Sequence, residues 1–295
     1  MSAAGGPLPG RVRNGQTEGA SHGGPAPPGP ARGPALGARH RPETEAAGPS
    51  AVENSVMTAV PAPPSSVLVL LLDLEGVEEA LLDTSVLEAE ERERAAAFIR
   101  AEDRVRYTAA HIALRRALAR RLDTDTFLLG RAPCPGCGKA HGRPVVVSPD
   151  PSVHFSLSHA GRLVLIAIAD APVGVDAEAA PAARTVKELT PSLHPLERSD
   201  IEGAPEQERP MEFARVWTRK EAYLKGIGTG LSRGLDRDYV GAARPREHPA
   251  GWSLADTSVP AGYAAAVALL TPEPGGEPLL ETGNIPKEMV YVPGR

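Results

Sequence analysis

Asp176 and Glu178 stand two residues apart in the aliphatic run Val173 to Glu178. In an extended strand that spacing turns both side chains to one face. Two carboxylates held together in apolar surroundings repel each other, and a hard cation such as Mg²⁺ is the usual remedy. Taken alone, Asp-x-Glu better suits an edge strand with a solvated face. A third carboxylate, Glu221, falls in the tract Trp217 to Lys225, where Trp217, Glu221 and Lys225 recur every four residues and Lys220 stands beside them. A helix would gather these groups on one side. The chain has only five lysines against twenty-seven arginines, so two lysines within six residues stand out. An all-oxygen triad of Asp176, Glu178 and Glu221 suits Mg²⁺, with Mn²⁺ an open alternative. Magnesium keeps waters and shares itself with substrate phosphates, so the triad predicts a phosphorylated ligand.

Ser158-His159 at a strand end can grip a phosphate or merely steady a turn. No Gly-x-Ser-x-Gly elbow surrounds Ser158, which argues against a serine hydrolase. Neither a Walker loop nor a dinucleotide fingerprint is present, so scattered side chains must hold a nucleotide-like ligand. Cys134 and Cys137, with His141 following, offer three soft ligands, one short of a closed structural zinc site. An ordinary reduced loop is the first reading of that motif and weak metal binding the second.

The elements that must position these residues emerge from patterning. Residues 1–64 are rich in Pro, Gly, Ala and Arg and bury too little to offset ordering entropy, so they read as disordered. Met57, just before the first credible strand, is a candidate start. Val67 to Asp73 reads as a buried strand, Leu87 to Phe98 and Ala101 to Leu122 as helices. Short strands follow over Phe127 to Gly130, Val145 to Val147, Val153 to Ser158 and Leu163 to Ala169, the last pair joined at His159-Ala160-Gly161. After the strand at Val173, helices are expected over Thr185 to Leu189, Pro195 to Ile201 and Pro210 to Lys225. Strands at Asp236 to Val240, Trp252 to Leu254 and Gly262 to Leu270 close the chain, and residues 271–295 read as a flexible tail. The fold class is α+β. Two similar pseudo-duplicated halves, 65–170 and 171–270, flank an active-site cleft. The net charge of −5 does not suit a nucleic-acid or membrane binder. The longest aliphatic run is too short to span a bilayer, which makes a cytoplasmic protein the expectation.

Four motifs in order carry a resemblance: Gly-Arg-Pro (142–144), Phe-Ser-Leu-Ser-His (155–159), Gly-Val-Asp-Ala-Glu (174–178) and Trp-Thr-Arg-Lys-Glu-Ala-Tyr-Leu-Lys (217–225). Together they resemble the Sfp-type 4′-phosphopantetheinyl transferases over residues 67 to 270. The resemblance implies that Asp176, Glu178 and Glu221 hold Mg²⁺ against the pyrophosphate of coenzyme A. It places Ser158 and His159 on the 3′-phosphate of the nucleotide, and Arg106 on a further phosphate. Arg143 stands where the family usually has lysine, keeping the charge and changing its geometry. Lys220 and Lys225 match lysines lying against the pyrophosphate, and Glu197 falls near another acidic family position.

The activity so implied is transfer of the 4′-phosphopantetheine group to a serine hydroxyl of an apo acyl or peptidyl carrier protein. Glu221 would take the hydroxyl proton, directly or through a water, and Lys225 would steady the leaving group. Two halves in one chain predict a monomer with one active site. The competing readings are a metal-dependent phosphohydrolase using the same triad and a non-catalytic module that binds carrier proteins. The first leaves Ser158-His159 and the lysine pair unexplained, and the second leaves no purpose for three intact acidic positions.

Overall fold

The computed structural model describes residues 66–241, 249–271 and 278–294. The expectations for residues 1–64, Met57 among them, lie outside these. The described chain runs β1 (Ser66–Asp73), α1 (Ala89–Ala96), α2 (Ala101–Leu122), β2 (Leu128–Arg131), β3 (Pro144–Ser148), β4 (His154–Ala160) and β5 (Leu163–Ala169). It continues with β6 (Val173–Ala179), α3 (Ala183–Leu189), α4 (Pro195–Gly203), α5 (Arg209–Ile227), β7 (Trp252–Asp256), β8 (Tyr263–Leu270) and β9 (Leu279–Asn284). No helix among the described residues is long and apolar enough to cross a membrane.

Among the described residues three sheets form: β4-β5-β1-β9, β2-β3 and β6-β8-β7. All seven residues of β5 are buried, because both faces of its sheet are covered. Val164, Ile166 and Ile168 meet the apolar stripe of α2 at Ala109, Ile112, Ala113 and Leu118. The alternate residues, Leu163, Leu165 and Ala167, point the other way and share a core with Val173, Val175 and Ala177 of β6 and Val267 and Leu269 of β8. The outer face of that second sheet, through Ala266, Ala268 and Leu254, receives Ala222, Tyr223 and Leu224 of α5. The layering is therefore helix, sheet, sheet, helix, an α+β architecture built on period-two alternation in the strands. Each large aliphatic side chain buried in this way contributes about 1.5–3 kcal/mol.

One glycine sets the distance between β6 and α5. A Cβ on Gly174 would stand 1.9 Å from the carbonyl oxygen of Ala222, so only glycine lets the helix lie this close to the strand. That contact brings Asp176 and the helix side chains into reach of each other.

Two expectations need correction. Within the expected tail 271–295, the described residues 278–294 are not a flexible tail: β9 pairs parallel to β1, and Val290 and Tyr291 are buried. Strand β9 supplies the edge that β1 would otherwise leave unpaired. Asp236 to Val240 forms no strand. There the backbone is tied to side chains instead, with the Val240 amide donating to Glu197 Oε1 at 2.9 Å.

Candidate active site

The strands β4 and β6 are neighbouring edges of the two main sheets, and serine side chains stitch them. Ser156 Oγ accepts from the Val175 amide at 3.0 Å, and Ser158 Oγ accepts from the Ala177 amide at 3.4 Å. These hydroxyls satisfy edge amides that have no strand partner on that side. They also fix Asp176, whose side chain lies between β4 and α5. Ser158 Oγ donates to Asp176 Oδ1 at 2.8 Å, and Lys225 Nζ donates to the same oxygen at 2.7 Å and to Ser158 Oγ at 3.0 Å. Lys225 also reaches the Val175 carbonyl at 3.2 Å.

Asp176 is 3% exposed, and its second oxygen, Oδ2, is buried without a hydrogen-bond partner. A buried carboxylate oxygen left unpaired is costly and calls for a cation or a donor. Glu178 lies on the same face of β6. Burial, then the Asp176 charge, pushes its carboxyl up to about 7, with Glu221 adding to the rise and Lys225 opposing it. Glu221 is also raised, by burial first and then by Asp176. The three carboxylates thus share one field, as a site for a hard divalent cation requires. The donor set fits Mg²⁺: oxygens only, one of them orphaned and buried. Their oxygens do not all converge within 4.8 Å, and Lys225 occupies Asp176 Oδ1.

Beside this cluster opens a cavity of about 440 Å³. Lys225, Ser156, Arg143, His141, His111 and Glu91 are among the residues that line it. Gly228 at the end of α5 takes φ +87, and a Cβ there would press on the Arg143 amide at 3.1 Å. Its left-handed cap therefore lets the Gly228–Gly230 turn close over the cavity beside Arg143. Arg143 is half-buried, its Nη1 is 3.0 Å from His154 Nδ1, and burial lowers its guanidinium from the ordinary value.

Around the hairpin of β4 and β5, Arg106 Nε donates to the Gly161 carbonyl at 2.8 Å and its Nη1 pairs with Asp103 at 3.1 Å. The neighbouring His159 imidazole is held below its usual range, first by desolvation and then by Arg106, with Lys225 and His111 adding to it. A cationic corner of this kind favours an anion over an imidazolium. Ser158 is placed differently from the expectation of a free phosphate grip. Its hydroxyl already serves Asp176, Lys225 and Ala177, so a phosphate would reach it only by displacing one of them.

Lys220 does not reach the cluster, which corrects the expectation that it lies against a pyrophosphate. It is 1% exposed and pairs with Glu197 Oε1 at 2.8 Å, itself 0% exposed. Lys220 also donates to the Asp238 carbonyl. One residue turns a helix by about 100°, so the neighbour of Glu221 faces α4 rather than β6. Arg219, also fully buried, bonds Asp256 at 2.6 Å and the carbonyls of Val240 and Gly241. Trp217 stacks on Phe213 with centroids 5.5 Å apart. This side of α5 is structural. His111, Glu91 and Thr229 were missed as cavity lining, since only the fold brings α1, α2 and the turn after α5 together.

Residues 172–268 match the family model of the 4′-phosphopantetheinyl transferase superfamily. The chain is 30% identical over 235 residues to "4′-phosphopantetheinyl transferase HetI" of Nostoc, covering 72% of this chain and 93% of that protein. It is 29% identical over 198 residues to "4′-phosphopantetheinyl transferase ffp" of Bacillus subtilis, covering 64% of this chain and 84% of the relative. The similarity to "4′-phosphopantetheinyl transferase Sfp" of the same species is 29% over 154 residues, 52% of this chain and 65% of that one. With an acidic cluster and a cavity in one fold, and a relative matched over nearly its whole length, the chain belongs to the 4′-phosphopantetheinyl transferase superfamily.

Proposed function

We propose that this protein transfers the 4′-phosphopantetheine group of coenzyme A to a serine hydroxyl of an apo acyl or peptidyl carrier protein, as a Mg²⁺-dependent monomer in the cytoplasm. The observation that carries the reading is the buried, unpaired Asp176 Oδ2, set in one field with Glu178 and Glu221 beside a cavity of about 440 Å³. In the reaction the serine oxygen forms a bond to the β-phosphorus and the bond from that phosphorus to the bridging oxygen breaks. Adenosine 3′,5′-bisphosphate leaves, and the serine proton goes to a base.

Asp176, Glu178 and Glu221 would hold Mg²⁺, which when bound neutralises charge building on the phosphoryl oxygens. The chain's own residues do the rest. Glu221, its carboxyl raised by burial and by Asp176, is a stronger base than an ordinary carboxylate and suited to accept the serine proton. Lys225 supplies a cation for the departing phosphate oxygen. Ser158 orients both Asp176 and Lys225. Arg143 on the cavity wall, and Arg106 and His159 at the hairpin, would bind the nucleotide phosphates. The two layers, each a sheet with a long helix on its outer face, are read as related halves with the ligand bound where they adjoin. Incubation with coenzyme A, Mg²⁺ and an apo carrier protein should add one phosphopantetheine mass to the carrier. Hydrolysis of coenzyme A with no carrier modified would replace this reading with that of a phosphohydrolase.

A further inference from the structure

The transfer chemistry has no use for Cys134, Cys137 and His141, although their loop between β2 and β3 is elaborately built. Their two sulfurs and a ring nitrogen lie within 4.8 Å of one another, the one such set of three among the described residues. Cys137 Sγ is 2.9 Å from His141 Nε2, and neither cysteine forms a disulfide. The backbone wraps Cys134 tightly. The amides of Cys137 and Gly138 donate to its carbonyl at 3.3 and 2.8 Å, and its own amide donates to Lys139 O at 2.7 Å. Gly138 takes φ +73, which lets the turn double back. Two further backbone bonds, Ala132 N to Arg143 O and Gly142 N to Ala132 O, close the loop at its base.

We propose that Cys134, Cys137 and His141 bind one Zn²⁺ ion through two thiolates and an imidazole, with a fourth position open to water, and that this ion clamps the loop carrying Arg143. Two soft sulfurs and a nitrogen select zinc over magnesium, so this site is chemically distinct from the acidic cluster. Binding releases the two thiol protons, and the two thiolates balance the charge of the ion. Zn–S near 2.3 Å and Zn–N near 2.0 Å set a tetrahedral sulfur–nitrogen pair about 3.6 Å apart. The exposed side chains of Cys137 and His141 need to separate by less than about 1 Å to admit the ion. Cys134 is buried and anchored while the other two face solvent, which leaves an entry path. His141 and Arg143 both line the cavity, so the clamp would stiffen one of its walls. The inference stands apart from the transfer reading.

The test is Co²⁺ loading of the reduced full-length protein, with Zn²⁺ competition. One equivalent per chain should bind, with the thiolate-to-cobalt charge-transfer absorption and the intense visible bands of a four-coordinate ion, and Zn²⁺ should displace it. Cys137→Ser and His141→Ala alter exposed positions and should keep the circular dichroism of the parent while weakening affinity at least about 100-fold. Asp176→Asn should leave the bands unchanged. Absence of charge-transfer bands from the reduced protein, bands that survive Cys137→Ser, or bands lost in Asp176→Asn alone would each overturn the proposal.

Discussion

Replacing Lys220 with methionine separates a structural lysine from a ligand-binding one. The side chain is 1% exposed and its ammonium is 2.8 Å from the fully buried Glu197. Glu197 also accepts from the amides of His194 at 3.2 Å and Val240 at 2.9 Å. Burial raises the Glu197 carboxyl and Lys220 opposes that rise, while burial lowers the Lys220 ammonium and Glu197 opposes it. Removing the lysine leaves a buried carboxylate with two amide donors and no cation, a loss of about 3–5 kcal/mol. For a domain of this size each kcal/mol moves Tm by about 2–4 °C, so Lys220→Met should melt roughly 10 °C below the parent. The loss should depend on pH. Without its cation Glu197 has a folded pKa further above its unfolded value, so the variant keeps most stability below the ordinary carboxylate range. It then loses stability as pH rises through the raised value. Lys220→Met with Glu197→Leu should recover most of the stability. Scanning calorimetry from pH 5 to 8, with coenzyme A binding measured on the folded fraction, reads both quantities. An unchanged Tm together with a large loss of coenzyme A affinity would refute the structural placement.

Glu178 gives a second pH signature. Its carboxyl is raised to about 7, with Asp176, Glu221 and Lys225 facing it, so the metal-free protein loses stability as pH climbs from about 4.5 to about 7. At full burial the displacement would be worth about 3 kcal/mol, and about 1–2 kcal/mol once solvent screening is allowed for. Glu178→Gln should therefore flatten that decline and melt higher than the parent at pH 8 while losing Mg²⁺-dependent stabilisation. Parallel pH profiles for the two proteins would contradict it. Gly174→Ala should force α5 away from β6, because the added carbon meets the Ala222 carbonyl at 1.9 Å. The cost is at least about 1–3 kcal/mol in urea unfolding, and a neutral result would show that the close approach is not needed.

The strongest periodic signals were readable before any coordinates. The helix expected over Ala101 to Leu122 is present with those bounds, because a buried alanine-rich stripe and favourable propensity agree. The aliphatic strands around Leu163 and Val173 are equally plain, their two faces each meeting apolar neighbours. Strand β9 was not legible. Leu-Leu-Glu-Thr-Gly-Asn alternates poorly and stays largely exposed, and it becomes a strand only because β1 offers a parallel edge 213 residues earlier in its first pair, Ser66 with Leu279. Val240 looked like a strand residue because it is apolar, yet its amide is satisfied by a carboxylate from α4. In the site, the two-residue spacing of Asp176 and Glu178 and the four-residue spacing of Glu221 and Lys225 already specified faces. The structure brings these four groups together with Ser158. Spacing could not reveal that Lys220 has a buried partner on another helix, since that depends on how α4 packs. Nor could it show that Ser158 stitches two sheet edges.

The central claim is that the acidic cluster drives carrier-protein modification, and a Mg²⁺ titration of the transfer reaction tests it most directly. Wild-type protein, coenzyme A and an apo carrier protein would be followed by carrier mass and by release of adenosine 3′,5′-bisphosphate, alongside Asp176→Ala. The account predicts Mg²⁺-dependent, equimolar formation of the two products by the wild type, and a loss of at least about 100-fold in the variant. Equal modification by Asp176→Ala, or by the wild type with Mg²⁺ chelated, would contradict it.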